Sequence, residues 1–136
     1  MNDLTPENMS IKMDHSNRSA VFKQWGVMNK QVVLDSYKYI YEDKEFDPSY
    51  GYIVDYRNVS RVDLSVEDIK NVLKEARKID KLIDKSALVT GNSYGRYVLA
   101  KLYCTLSSVF AKEKVQRQAF QRMEDAEAWM NSDSKK

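Results

Sequence analysis

Residues 52–89, YIVDYRNVSRVDLSVEDIKNVLKEARKIDKLIDKSALV, decide the fold. Tyr52-Ile53-Val54-Asp55-Tyr56 is a short, β-prone and largely apolar run, the pattern of a central strand covered on both faces. Asn58 to Asp63 reads as a connecting loop. Ser65-Val66-Glu67-Asp68 has the form of a capping box, with Ser65 as N-cap and Asp68 reaching back to its main-chain N–H. Ile69, Val72, Leu73, Ala76, Ile79, Leu82 and Ile83 then recur at helical spacing. Burying the large aliphatics of this stripe contributes roughly 1.5–3 kcal/mol each before entropy is subtracted. Ala87-Leu88-Val89 is a second buried strand. A strand, an amphipathic helix and a strand imply a parallel pair joined by a right-handed crossover.

Toward the N-terminus, Ile11-Lys12-Met13-Asp14 alternates apolar and polar as a half-buried strand does. His15 to Arg18 supplies a turn. Ser19 to Trp25 returns as the second strand of a hairpin, which Gly26 is expected to end. Asn29 is placed to cap a helix carrying Val32, Val33, Tyr37, Ile40 and Tyr41 on one side. The segment from Phe46 to Gly51, with Pro48, breaks that helix. Toward the C-terminus, Thr90-Gly91-Asn92 ends the second buried strand, and Ser93 caps a third helix. Val98, Leu99, Leu102, Leu106, Val109 and Phe110 are expected on its inner side. Val115 to Phe120 is β-capable but polar, the character of an edge strand. Met123 to Met130 is a short last helix with Ala126, Trp129 and Met130 inward. The expected fold is α/β, in the order β-β-α-β-α-β-α-β-α. It predicts a mixed, mainly parallel five-stranded sheet with helices packed on it. One domain spans 9–130, between a flexible arm (1–8) and a flexible tail (131–136).

The chain has 136 residues, 43% of them apolar and 31% charged, which suits one globular domain. Its 22 Lys and Arg against 20 Asp and Glu give a formal charge of +2. That balance argues against a nucleic-acid partner, which selects a concentrated basic surplus. Cys104 is the single cysteine, so no internal disulfide can form and a reducing, cytoplasmic location is expected. No apolar leader or run of 18 apolar residues is present, so neither export nor a transmembrane segment is expected.

The chemistry-bearing residues do not assemble into a catalytic motif. The one histidine, His15, belongs to a turn, and Cys104 lies on a helix flank beside Tyr103 and Thr105, with no activating cation. No His/Cys cluster suggests a metal, and neither a P-loop nor a dinucleotide fingerprint occurs, so no cofactor and no enzymatic activity are expected. Two surfaces invite binding. Ser93, Tyr94, Gly95 and Arg96 open a helix at the carboxyl end of a parallel strand, where free N–H groups and a guanidinium attract anions. Lys70, Lys74, Arg77, Lys78 and Lys81 form a diluted basic stripe, read as a solvated face. Tyr39 is expected to face outward, and with the edge strand it is a candidate for self-association.

The joints of this order resemble the SpoIIAA-like superfamily, which includes STAS domains and the lipid-binding Sec14 proteins. The chain looks most like small bacterial SpoIIAA-like proteins. The residues that carry the resemblance are Ile53-Val54-Asp55-Tyr56-Arg57 followed by Asp63-Leu64-Ser65; Ala87-Leu88-Val89 with Tyr94-Gly95; and Phe120 with Ala126-Glu127-Ala128-Trp129. It covers roughly residues 9–130. The resemblance implies a non-enzymatic regulatory domain that binds another protein, as anti-sigma-factor antagonists do. In that branch a Ser or Thr directly after an aspartate is phosphorylated. Laid on Asp63, the pattern puts Leu64 at the acceptor position and Ser65 one residue later. The contact surface it implies is Asn58 to Leu64 with the following helix start. The Sec14 relationship implies an alternative, a small-ligand or lipid carrier with a pocket near Tyr94, Gly95 and Arg96. Such a carrier needs an enclosed cavity of roughly several hundred Å3.

Overall fold

The strands lie across the sheet in the order in which they occur along the chain. A computed structural model describes residues 8–16, 18–42, 44, 47, 49–80, 83–111 and 115–132, with main chain alone for 78–80, 110 and 111. In it, β1 (Met9–Asp14), β2 (Ser19–Asn29), β3 (Gly51–Asp63), β4 (Lys85–Val89) and β5 (Gln116–Phe120) form one sheet, ordered β1-β2-β3-β4-β5. The β1–β2 hairpin is antiparallel, and every later pair is parallel. Helices α1 (Lys30–Glu42), α2 (Val66–Asp80) and α3 (Tyr94–Leu106) connect successive parallel strands, and α4 (Met123–Met130) follows β5. A π-helical turn, Ser107–Ala111, extends α3. This is the mixed, mainly parallel sheet that the sequence predicts.

Right-handed crossovers between strands added always on the same side place every connecting helix on one face. The packing follows that rule. Phe22, Tyr52, Val54, Leu88 and Ala119 cover one face of the sheet. They and the neighbouring Val59 meet Val33 and Ile40 of α1, Val72 of α2 and Ala100 of α3. On the opposite face, Val21, Ile53, Ala87, Val89 and Phe120 meet α4 through Met123, Ala126, Trp129 and Met130. Strands β3 and β4 are therefore covered on both sides, as their apolar sequences require.

Lys85 fixes α4 to the sheet. It is 8% exposed, and its ammonium donates to the carbonyls of Trp129 (2.8 Å) and Ser132 (3.1 Å) and to the Ser132 hydroxyl. It also lies 4.9 Å from the centre of the Trp129 ring. A cation at a helix carboxyl end satisfies the last carbonyls and the dipole together.

The structure corrects several details. Gly26 does not end its strand: at φ +79° it forms an irregularity, and β2 runs on to Asn29. The extension pairs with Asn58–Asp63, which is strand and not loop. Asn29 caps α1 as expected, its side chain accepting from the Val32 N–H at 2.9 Å. Val98 on α3 and Val109 in the π-helical turn are exposed, whereas Ala100, Tyr97, Tyr103 and Cys104 of α3 face the sheet. The buried stripe is thus rotated from the expected one toward the aromatic side chains. Tyr41 is exposed, and Tyr39 packs against the core instead of facing outward. Phe46, Pro48, Lys81 and Leu82 lie outside the described residues, as do the side chains of Lys78, Ile79 and Phe110.

The Lys85 anchor is testable. Lys85→Met keeps most of the aliphatic stem but deletes three charge-assisted bonds, and should cost about 1–2 kcal/mol in urea unfolding. Hydrogen exchange should quicken in α4 while the β1–β2 amides keep their protection.

Candidate interaction surface

The sheet is longest where β2 and β3 run together. Pairing of β3 with β4 stops at Asp55↔Val89, but β3 continues to Asp63 beside β2 alone. Carbonyls on its β4 side beyond that point have no strand to bond, and buried main-chain acceptors need partners. Arg96 supplies them. From the first turn of α3 its guanidinium donates to the carbonyls of Val59 (2.7 Å), Arg57 (3.3 Å) and Thr90 (3.0 Å). Ser93 holds that turn in place by accepting from the Arg96 N–H at 3.2 Å. Gly91, at φ +73°, makes the bend that ends β4, and a Cβ there would lie 3.2 Å from the Arg57 side chain. The anion-binding group expected from sequence therefore has three donors of its arginine committed to the protein's own main chain. Tyr94 beside it is 74% exposed, and Gly95 is also exposed.

Asp55 and Arg57 form a second fixture on β3. Asp55 is 2% exposed and accepts from Arg57 Nε and Nη2, both at 2.9 Å, and from the Arg57 main-chain N–H at 3.0 Å. Burial pushes the Asp55 pKa up, but the Arg57 side-chain and main-chain bonds outweigh it and leave the carboxyl below its ordinary value. The signal for this pair was in the sequence: an aspartate inside an apolar strand demands a partner.

The end of β3 separates the three residues of the other predicted site. Asp63 faces outward and pairs with Arg61 at 3.0 Å. Leu64 turns inward onto the cluster formed by Met28, Val33, Val59 and Val72. Ser65 caps α2: its hydroxyl accepts from the Asp68 N–H at 3.0 Å, and the Asp68 carboxylate accepts from the Ser65 N–H at 3.1 Å. The expected capping box is present in both directions.

Both predicted groups reach the same internal space. Leu64 and Arg96 line an apolar cavity of about 50 Å3 beneath α2 and α3, together with Tyr56, Ile69, Leu99 and Tyr103. The carboxyl ends of parallel strands, where open α/β sheets bind ligands, thus converge here. Burial holds the Tyr56 phenol far above its ordinary range. A second, mostly polar hollow of about 440 Å3 touches Cys104, Ser107 and Arg117 as well as Gln116, Gln118 and Trp129. Alternate residues of β5 point to opposite faces, so this hollow wraps the sheet edge and is open. Burial raises the Cys104 pKa to about 11, against the opposing pull of Arg117 and Lys101, which keeps it a neutral thiol at physiological pH. Among the described residues, no three His, Cys, Asp or Glu side chains gather as metal ligands. No helix among the described residues is long and apolar enough to cross a membrane.

Two substitutions probe this frame. Arg96→Ala should lower stability by about 1.5–3 kcal/mol in urea unfolding, because it strands carbonyls of β3 and β4 at once. Asp55 has a lower pKa folded than unfolded, so its contribution is complete above the unfolded value of about 4 and is lost as pH falls through the folded one. Asp55→Asn should accordingly flatten the acid limb of a stability–pH curve while leaving the alkaline limb unchanged.

No family model matches this sequence, and neither does any curated protein. Solved structures do match its fold. An uncharacterised protein of the DUF3478 family from Shewanella loihica PV-4, described as having a SpoIIAA-like fold, superposes with a TM-score of 0.57 at 14% identity. The match covers 96% of this chain and 98% of the other. The anti-sigma factor antagonist SpoIIAA in its unphosphorylated form gives a TM-score of 0.46 at 13% identity, over 87% and 92% of the two chains.

Proposed function

We propose that this domain, whose fold is SpoIIAA-like, is a non-enzymatic module that binds a protein partner through the free end of β3 and the start of α2. The observation that supports this reading is the projection itself. Arg57, Asn58, Ser60, Arg61 and Asp63 are exposed along a strand that outruns its β4 neighbour, and Ser65 is exposed just beyond it at the cap of α2. That strand is held by Arg96 on one edge and by β2 on the other. A polar surface on a rigid frame loses little entropy on docking, which favours affinity per contact.

The same surface bears on regulation. Leu64, at the position where the resemblance places the phosphoacceptor, is an apolar core contact. Ser65 has the right chemistry, and a phosphate there would meet the positive end of α2 while breaking the hydroxyl's bond to Asp68. The proposed module therefore binds without needing a phosphoswitch, and Ser65 is the residue through which one would act.

The carrier alternative has less support. Ligand pockets for small molecules enclose about 300–1,000 Å3, and the cavity behind Leu64 is about 50 Å3. That is space for roughly one or two waters.

A photoreactive residue at Ser60 tests the proposal against a control at Val98 on the exposed side of α3. A single protein captured in cells from position 60 and not from 98, and lost with Asp63→Lys, is the expected outcome. Equal capture from both positions, or native mass spectrometry showing the purified chain filled with lipid, would overturn it.

A further inference from the structure

Among the described residues, helix α4 packs on β3, β4 and β5, reaches only Val21 of β2, and no other helix lies over the β1–β2 half of that face. The faces of individual residues follow from register. Val21 packs with the α4 cluster, so its partner Lys12 points to the α4 side. Lys23 stands directly across from Asp55 on that same side, and Trp25 follows two residues later. Lys12 and Lys23 are exposed, and neither makes an ion pair among the described residues. Trp25 is 38% exposed. This half is thus a shallow trough with a basic surplus: Lys12, Lys23 and the Trp25 indole floor it, half-buried Asp14 stands at its end beside Ser16, and α4 is its wall.

That wall has the opposite charge. The outward residues of α4 are Glu124, Asp125, Glu127 and Ala128, all exposed, and the helix carries no base between Met123 and Met130. Glu124 pairs with Arg122 just before the helix at 3.5 Å, and both Glu124 and Glu127 act on Arg57 of β3, so the negative charge of α4 extends toward that strand. The molecule therefore displays, side by side on one face, an acidic ridge one helix wide and a basic trough two strands wide.

We infer that this face is the contact surface between two copies of the chain, related by a two-fold axis, with α4 of each lying in the β1–β2 trough of the other. A surface that carries a ridge and its complementary groove together is self-complementary, which is the requirement of an isologous dimer. A two-fold sets Lys12 and Lys23 of each copy against the acids of its partner's α4, and it covers both Trp25 rings. The contact is small, so the dimer is weak and salt-sensitive.

Paired charge reversals test this on purified protein. Wild type should sediment as a concentration-dependent dimer that dissociates as salt rises. Lys12→Glu with Lys23→Glu, and separately Glu124→Lys with Glu127→Lys, should each weaken self-association by about 100-fold or more, because like charges then face each other in both halves. All four positions are exposed, so both variants should remain folded, with thermal unfolding lowered slightly by loss of the Arg122–Glu124 pair in one and of the Lys23 charge facing Asp55 in the other. Mixing the two variants restores opposite charges across both halves and should give a heterodimer of wild-type strength, with the Trp25 emission shifted back to the blue. Three results overturn the inference: a chain monomeric at about 100 μM in low salt, whether or not its trough takes an acidic helical peptide; a dimer indifferent to both variants; or a mixture that fails to re-form one. None of these bears on the β3 surface, which single chains present equally.

Discussion

The handedness of the crossovers governs this molecule. Each parallel connection must be right-handed, and each new strand joins the same edge, so α1, α2 and α3 share one face of the sheet. Everything asymmetric about the protein follows. One face has a three-helix cover and most of the core, while the other depends on an eight-residue helix that arrives after the last strand. An aliphatic contact alone holds a helix that short poorly, since isolated helices of this length are unstable in water. The buried Lys85 ammonium on its terminal carbonyls compensates.

The same topology explains the projecting end of β3. A central strand longer than its neighbour leaves carbonyls without a ladder, and the nearest available donor is the arginine at the start of the helix that follows β4. Sequence alone suggests an anion site there, because a helix N-terminus and a guanidinium together attract negative charge. A partly buried main chain competes for the same donors, and within the fold it is always present. Arg96 is therefore a fastening between β3, β4 and α3, and the proposed contact surface lies further out, at Arg61, Asp63 and their neighbours.

How much could be read in advance depended on the length of the repeating pattern. The α2 stripe, its capping box and the apolar runs of β3 and β4 each agree with their surroundings over many residues, and they were legible. Strand β3 beyond Tyr56 was not, because Gly26 and two shifts in register disrupt the alternation that marks a paired strand. Its partner also lies far away along the chain, so only tertiary pairing reveals it. On α3 and its π-helical extension, aliphatic residues occur all round the helix, and packing selected Tyr97, Ala100 and Tyr103 over Val98 and Val109. Periodicity cannot make that choice when both sides are apolar. The resemblance singles out Leu64 and Ser65 together, but the opposite directions they take follow from core packing and helix capping, which it does not encode.

The placing of the two tryptophans gives the fold an optical asymmetry. Trp129 sits beneath a cation and against Phe120, where the charge and the ring can quench or shift its emission, and Trp25 sees water. Since α4 rests on β3, β4 and β5, Trp129 acquires its environment only when that part of the sheet is assembled. Stopped-flow fluorescence during refolding of a Trp25→Phe chain would therefore time the closing of the thin face through Trp129 alone.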